Sequence, residues 1–185
     1  MIEAEQIALC QRNDRKAQRY IYESYYGRMM GLCLRYAKNA TQASDMLNQG
    51  FLKVYSSISS YKNHVAFESW IKDLFVSHAV QYLKSIRQEY YVATTARAEE
   101  KRHDLDLFHQ AGDEDPNIIG NDGYVKALQQ LPPSFRSVFN MNVIDGYSLK
   151  QIADTLEISE ETSKLNLEKA RYSLFRNIQL QQKGY

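Results

Sequence analysis

The sequence contains few residues that break helices. Its 185 residues include only three prolines and eight glycines, a composition that favours helices over a sandwich of many short strands. No apolar run approaches the roughly 20 residues of a membrane span, and the first residues lack the apolar core of a signal peptide. The two cysteines, Cys10 and Cys33, have no metal-ligand spacing and stand among apolar helical neighbours. We therefore expect reduced core thiols in a cytoplasmic protein that does not insert into membranes.

Patterns typical of small-molecule chemistry are also missing. The sequence has no phosphate-binding glycine loop, no catalytic triad and no metal cluster. The histidines lack metal-ligand spacing, and their positions are His64, His78, His103 and His109. We therefore expect a protein that is not an enzyme, needs no cofactor and takes no small-molecule substrate.

Charge is unevenly distributed along the chain, although the net charge is only +1. Residues 1–87 contain 12 Lys/Arg and 7 Asp/Glu, residues 88–125 contain 3 and 9, and residues 126–185 contain 8 and 6. Two mildly basic ends that flank an acidic middle fit two nucleic-acid-facing modules joined by a connector that is kept off DNA. Chance scatter of surface charge would give the same counts, so charge alone leaves both interpretations open.

Apolar residues recur at helical spacing along the N-terminal half. This period predicts helices over 17–39, 41–58 and 66–90, with Thr41 as the cap of the second helix. The residues expected to be buried in that second helix are Ala43, Met46, Leu47, Phe51 and Val54. Between about 91 and 123 the sequence becomes polar and acidic, which predicts a flexible linker. The expected fold is all-α, with two helical domains at 1–90 and 124–185 joined by the acidic linker 91–123.

The C-terminal part predicts four helices, of which the last two form a helix-turn-helix. Ser134 is expected to cap the second of them, and Gly146 to end it. Ser148 and Gln151 have the spacing of a capping box for the third helix. Ser159 then caps the last helix, whose expected inward residues are Ser163, Leu167, Ala170 and Leu174.

The outward face of the last helix has the chemistry of a weak DNA-binding surface. It is expected to carry Thr162, Lys164, Leu165, Asn166, Lys169 and Arg171. Leu165 suits a thymine methyl group, Asn166 suits adenine N6 and N7, and the basic side chains suit phosphates. Glu160 and Glu161 stand in the first turn of the helix, where the helix dipole favours anions, so they need not face DNA.

Both ends of the chain resemble one family, the bacterial RNA polymerase sigma factors of the extracytoplasmic-function (ECF) group within the sigma-70 family. The C-terminal stretch that resembles the family's region 4 is LPPSFRSVFNMNVIDGYSLKQIADTLEISEETSKLNLEKAR. The N-terminal stretch around DMLNQGFLKV and FESW is similar to region 2. The resemblance implies a sigma factor that binds core RNA polymerase and directs it to promoters. It further implies recognition and melting of the −10 element by region 2 and recognition of the −35 element by region 4.

The resemblance also implies roles for particular residues and partners. Region 2 would dock on the β′ clamp helices, and region 4 on the β flap; an anti-sigma factor is a further expected partner. The implied polymerase-binding residues are Asp45, Asn48, Gln49, Phe51, Lys53 and Tyr55. The implied −10 contacts are Phe67, Trp70, Lys72, Ser77, His78, Lys84 and Arg87, because aromatic and basic side chains offer stacking and phosphate contacts. At their helical spacing, Phe67 and Trp70 also fit a purely structural place in the core.

Several positions depart from the family pattern. Asn48-Gln49 stands where the family has Gln-Glu or Gln-Asp, Ser77 where it has Asn, and Leu165 where it has a small polar residue. Two alternatives to a working sigma factor therefore remain at this point. One is a sigma-like interaction protein that does not initiate transcription, and the other is a plain helix-turn-helix regulator.

Overall fold

The computed structural model describes residues 4–62, 65–86 and 121–182, and within these ranges the chain forms only helices and turns. The predicted all-α class is confirmed. The chain divides into two compact units, Met1–Tyr82 and Leu83–Tyr185, the N-terminal and the C-terminal unit. Most of the predicted linker lies outside the described residues, as does Arg87, and the next helix begins at Asn121, two residues before the predicted end of the linker.

The helices of the N-terminal unit are α1 (Ala4–Gln11), α2 (Arg15–Tyr36), α3 (Ala40–Ser57) and α4 (Phe67–Ile86), of which α4 continues past the division. The turn Ile58–Ser60 follows α3 as a short 3-10 helix. The sequence pattern does not predict α1. The other three correspond to the predicted helices, with bounds shifted by one to three residues at the ends that the structure describes.

Side-chain caps fix the starts of α2 and α3. The Asp14 carboxylate accepts hydrogen bonds from the backbone N–H groups of Lys16 and Ala17 at 2.8 and 2.9 Å. The Asn39 side chain accepts from the N–H of Gln42 at 2.9 Å. The prediction that Thr41 caps α3 is wrong, because the helix has already begun at Ala40 and the amide oxygen of Asn39 satisfies an N–H of its first turn.

Aromatic rings fill much of the N-terminal core, where α2 packs along α3. Phe51 and Phe75 meet edge to face, with ring centroids 5.2 Å apart. The five residues predicted to be buried in α3 are all buried. Gly50 faces the ring of Phe75, and a Cβ atom at Gly50 would collide with that ring. The absence of a side chain at Gly50 therefore sets how closely α3 and α4 approach.

The helices of the C-terminal unit are α5 (Asn121–Gln129), α6 (Pro133–Phe139), α7 (Leu149–Leu156) and α8 (Glu160–Gln182). A π-helical turn, Asn140–Ile144, extends α6. Gly146 follows it with φ of +83°, a left-handed conformation suited to glycine, so the predicted role of Gly146 at the helix end is confirmed. The prediction that Ser134 is a cap is wrong, because Pro132 takes the capping position and Ser134 is buried.

The C-terminal core joins α5, α6 and α8. It is formed by Tyr124, Ala127, Leu128, Leu131, Phe139, Ala170, Leu174 and Ile178. Arg136 lies beside this core at only 1% exposure, and its Nη1 donates a hydrogen bond to the backbone carbonyl of Gln129 at 2.8 Å. This bond ties α6 to the end of α5 through a buried polar group.

Among the described residues, no helix is long and apolar enough to cross a membrane.

Candidate nucleic-acid and polymerase interfaces

The helix-turn-helix is built by two caps and one left-handed residue. Gln151 N–H donates to the Ser148 hydroxyl at 3.2 Å, and the Gln151 side chain accepts from Ser148 N–H at 2.9 Å, which confirms the predicted capping box. Glu157 has φ of +59° and ends α7. The Ser159 hydroxyl then accepts from Thr162 N–H at 3.0 Å and starts α8, as predicted. This local chemistry turns the chain sharply between α7 and α8 and exposes one side of α8.

The outward face of α8 carries most of the side chains predicted for it. Lys164 and Arg171 are exposed, while Thr162, Leu165 and Lys169 are half-buried. Glu160 and Glu161 are exposed in the first turn, where the helix dipole stabilises them. Two exposed cations and a partly exposed leucine on one helix face can contact phosphates and a base methyl group.

Asn166 does not lie on this outward face, so its predicted placement is wrong. Its side chain is only 4% exposed, and Ser163, three residues earlier, is fully buried. Both belong to the stripe that continues through Ala170 and Leu174 at spacings of three to four residues. The predicted inward residue Leu167 is half-buried instead. The buried stripe of α8 therefore runs through Asn166 rather than Leu167. The Asn166 amide is not exposed on the face where it could reach a base edge.

Four of the six predicted polymerase contacts share the exposed side of α3. Asp45, Asn48, Gln49 and Lys53 are exposed. The ammonium of Lys53 donates a hydrogen bond to the Gln81 side chain on α4 at 2.9 Å, so it is directed along the surface of the bundle. This side of α3 presents amides, one carboxylate and little net charge.

Phe51 and Tyr55 point away from that exposed side, so the structure does not group them with the other four predicted polymerase contacts. Phe51 is 2% exposed and packs against Phe75. The hydroxyl of Tyr55 donates to the backbone carbonyl of Gln18 on α2 at 3.0 Å, and burial raises the pKa of Tyr55 to about 12. Both side chains stabilise the packing of α3 on α2 because they sit on its inner side.

The predicted −10 contacts are divided among different sides of α4. Trp70, Ser77 and Lys84 recur every seven residues and therefore lie along one stripe; Ser77 is exposed and the other two are half-buried. Lys72 is half-buried on another side of the helix. The structure thus brings together three of the seven predicted residues.

Phe67 and His78 face the inside of the bundle rather than the stripe. Phe67 is 5% exposed and meets the rings of Tyr25, Tyr61 and Trp70 at centroid distances of 5.7, 5.2 and 5.4 Å. Phe67 is therefore part of the core, which is the structural place that its helical spacing also fitted. His78 is half-buried, and its Nε2 has no hydrogen-bond partner among the described residues. Burial, followed by the nearby Lys53 charge, lowers the pKa of His78 and favours its neutral form.

One surface residue was missed by the sequence reasoning. Leu52 on α3 is 68% exposed, more than any other large hydrophobic residue that the structure describes. It follows Gln49 by three residues and Asp45 by seven, so it shares their side of the helix. The helical spacing of Asn48 and Gln49, continued by one turn, leads to Leu52. The family motif does not include this position, although it includes the residues on either side of it.

Two family models match the chain in the order expected for one protein. The model described as Sigma-70 region 2 matches residues 21–90, and the model described as Sigma-70, region 4 matches residues 123–174. Together these segments make up more than half of the chain. The chain belongs to the sigma-70 family.

Several similar curated proteins are sigma factors, and some of them are named as ECF sigma factors. The chain is 22% identical to the ECF RNA polymerase sigma factor SigW of Bacillus subtilis, over 96% of this chain and 97% of that protein. It is 24% identical to the RNA polymerase sigma-H factor of Pseudomonas aeruginosa, over 91% and 90% of the two chains. The fold is similar to that of the sigma factor RpoE of Bartonella quintana, solved in complex with the anti-sigma factor NepR, with a TM-score of 0.52 and 13% identity over 87% of this chain and 96% of that one.

The two interfaces can now be named by sigma region. The region 2 match contains most of α2 together with α3 and α4, and with them the exposed side of α3 and the stripe on α4. The region 4 match contains the helix-turn-helix and the outward face of α8. As a sigma factor, the chain directs RNA polymerase to promoters for transcription initiation.

Proposed function

We propose that this sigma factor divides promoter recognition between its two units at the level of particular helix faces. Residues 1–90 act as region 2, which docks on core polymerase and captures the −10 element. Residues 124–185 act as region 4, which binds the −35 duplex, and residues 91–123 connect them. The observation that carries this proposal is the presence, in one chain and in family order, of a helix-turn-helix and of a separate aromatic bundle with an exposed polar helix face.

The outward face of α8 suits duplex DNA. Lys164, Lys169 and Arg171 would neutralise phosphates, and Thr162 would add a polar contact near the start of the helix. Leu165 would touch a thymine methyl group in the major groove. Because Asn166 is buried, base discrimination on this face depends mainly on Leu165 and on the shape of the DNA backbone.

The stripe on α4 suits single-stranded DNA. The half-buried ring of Trp70 offers a surface on which an unstacked base can lie, and Lys84 would exchange its ion pair with Glu157, 3.2 Å away, for a contact to the DNA backbone. Ser77 lies between Trp70 and Lys84 and supplies a hydroxyl group that can donate or accept a hydrogen bond. Lys72 lies on another side of α4 and would contact a different part of the backbone. Opening the duplex costs less when the exposed bases have such partners.

The exposed side of α3 is the proposed docking surface for the β′ clamp, and the C-terminal unit would contact the β flap. Neither unit supplies a catalytic group in this proposal, since polymerisation belongs to the core enzyme. Because its partner is RNA polymerase, we place the protein in the cytoplasm. We further propose an anti-sigma factor as a regulatory partner, by extension from the Bartonella complex.

Run-off transcription with core polymerase tests the proposal. The full chain is mixed with core enzyme and a pool of genomic fragments, and we expect transcripts that are absent when core enzyme is used alone. Lys164→Ala with Arg171→Ala should reduce these transcripts and flatten the salt dependence of promoter binding. A chain that binds core polymerase but yields no transcript from the pool would instead be a sigma-like interaction protein.

A further inference from the structure

The α3 outward face, defined by Asp45, Asn48, Gln49 and Leu52, has an apolar group among polar neighbours. Leu52 is 68% exposed, compared with 54% for Val65 and 43% for Leu180. The three polar residues precede it by three to seven positions on the same side of the helix. An apolar side chain bordered by polar groups is common in protein interfaces.

The same face carries little charge with which to attract a partner. Asp45 is its one carboxylate. Asn48 and Gln49 are both neutral, whereas the family pattern has an acidic residue at the position of Gln49. The neighbouring ammonium of Lys53 is held against the Gln81 side chain at 2.9 Å. Ion pairing alone is therefore a weak source of affinity for this face, because a single exposed pair contributes little.

Burial of Leu52 offers a larger contribution than that single pair. A leucine side chain that passes from water into a packed interface gains several times the free energy of an exposed ion pair. The position of Leu52 one turn beyond the amides makes it continuous with the surface through which region 2 is proposed to meet the polymerase. No other large hydrophobic residue on α3 is exposed in the part of the chain that the structure describes.

We propose that Leu52 is the apolar anchor of polymerase docking in this sigma factor, and that docking depends on its burial more than on ion pairs. The occupant of the face is core RNA polymerase, and the inference rests on the function proposed for region 2. It predicts that affinity for core polymerase is strongly sensitive to the Leu52 side chain and only weakly sensitive to salt.

The test is the dissociation constant of the fluorescently labelled full chain for core RNA polymerase, measured at low and at moderate salt. Leu52→Ala is expected to raise this constant roughly 10-fold or more, since most of the buried side chain is lost. Leu52→Met preserves size and apolarity and should bind like the original chain. Val65→Ala is the control, at a 54% exposed valine of the N-terminal unit that lies outside α3, and should also bind normally. Thermal melting of each variant checks that the bundle remains folded.

Different results separate this inference from the function on which it rests. If the unaltered chain binds core polymerase and Leu52→Ala binds equally well, the anchor is wrong while the sigma function stands. Equal weakening by Leu52→Ala and Val65→Ala would also overturn it, because the effect would not be specific to α3. A steep loss of affinity with salt in the unaltered chain would show that charge dominates docking. If the unaltered chain does not bind core polymerase at all, both the inference and the proposed function fail.

Discussion

In the N-terminal unit the buried residues that the structure describes are apolar or aromatic, whereas the C-terminal unit also buries six polar or charged residues. Those six are Ser134, Arg136, Ser137, Asn140, Ser163 and Asn166. The N-terminal bundle is thus held by ring packing and apolar burial, which have no strict direction. The C-terminal unit adds directional hydrogen bonds: Arg136 donates to the Gln129 carbonyl and so ties α6 to the end of α5, while Asn140 donates to the Arg136 carbonyl along its own helix. Non-directional packing is sufficient to hold the protein-binding surface of α3 rigid. A helix that enters a DNA groove must also be held at a defined angle, which directional hydrogen bonds provide.

Removing a ring from the N-terminal core is expected to have the largest effect. Phe75 is fully buried against Phe51 and Gly50, so Phe75→Ala should lower the free energy of unfolding by about 3–5 kcal/mol. Urea unfolding followed by tryptophan fluorescence reports on this unit, because the only tryptophan, Trp70, lies there. Tyr26→Ala, at a 42% exposed tyrosine, is the control and should cost far less. Equal losses of unfolding free energy in the two variants would show that the buried rings do not dominate the stability of this core.

Removing a buried polar group tests the other half of the comparison. Arg136→Met keeps much of the side-chain volume but removes the donor to the Gln129 carbonyl, and we expect a loss of about 1–3 kcal/mol. Hydrogen exchange of peptides from residues 121–182 measures it in the C-terminal unit alone. Arg176→Met changes the same residue type at an exposed position of α8 and should leave exchange unaltered. Unchanged protection in Arg136→Met would mean that the buried guanidinium is dispensable.

Helix caps should contribute similarly in the two units, because capping is local. Asn39→Ala in the N-terminal unit and Ser148→Ala in the C-terminal unit each remove a side-chain acceptor for a first-turn N–H, at an expected cost of about 1 kcal/mol. Thr41→Ala is the matched control, since Thr41 lies inside α3 and caps nothing. Chemical unfolding measures the free energy of unfolding of the three variants. A larger loss of stability for Thr41→Ala than for Asn39→Ala would show that Thr41 is the cap of α3.

The smallest expected effect concerns the two non-glycine residues with positive φ that the structure describes, one in each unit. Asn13 has φ of +62° and Glu157 has φ of +59°. Asn tolerates this conformation better than Glu does, so Glu157→Gly should stabilise the C-terminal unit by up to about 1 kcal/mol, while Asn13→Gly should change little. Thermal unfolding of both variants measures the difference. A gain at Asn13 that equals or exceeds that at Glu157 would contradict this account.

The helices and their inward faces could largely be predicted from the sequence, because a period of 3.6 is a property of neighbouring residues. Ala43, Met46 and Val54 are buried as that period requires. The wrong predictions concern positions where a small rotation of the helix determines which residue is buried, or where two nearby residues can both serve as the cap. Asn166 and Leu167 adjoin the edge of one stripe, and only the packing of α8 determines which of them is buried. Asn39 and Thr41 are both good caps, and only the actual start of α3 chooses between them.

The candidate sites were predicted less well, because a family motif assigns residues without assigning the direction of each side chain. Phe51 and Tyr55 stand within the motif but point inward, whereas Leu52 stands between motif positions and points outward. On α4 the motif gathered residues from several sides of one helix. The helical period already predicts that Phe51 is buried, and the same period, applied to the rest of the motif, is enough to add Leu52 to the exposed side.

The most direct test of the central claim is the permanganate reactivity of thymines in the −10 region of a promoter selected by run-off transcription. The full chain and core RNA polymerase are added separately and together. The account predicts reactive thymines only when both are present, with reactivity reduced by Lys164→Ala combined with Arg171→Ala because fewer promoters are bound. Firm binding of the chain and core polymerase to that promoter without any reactive thymine would contradict it.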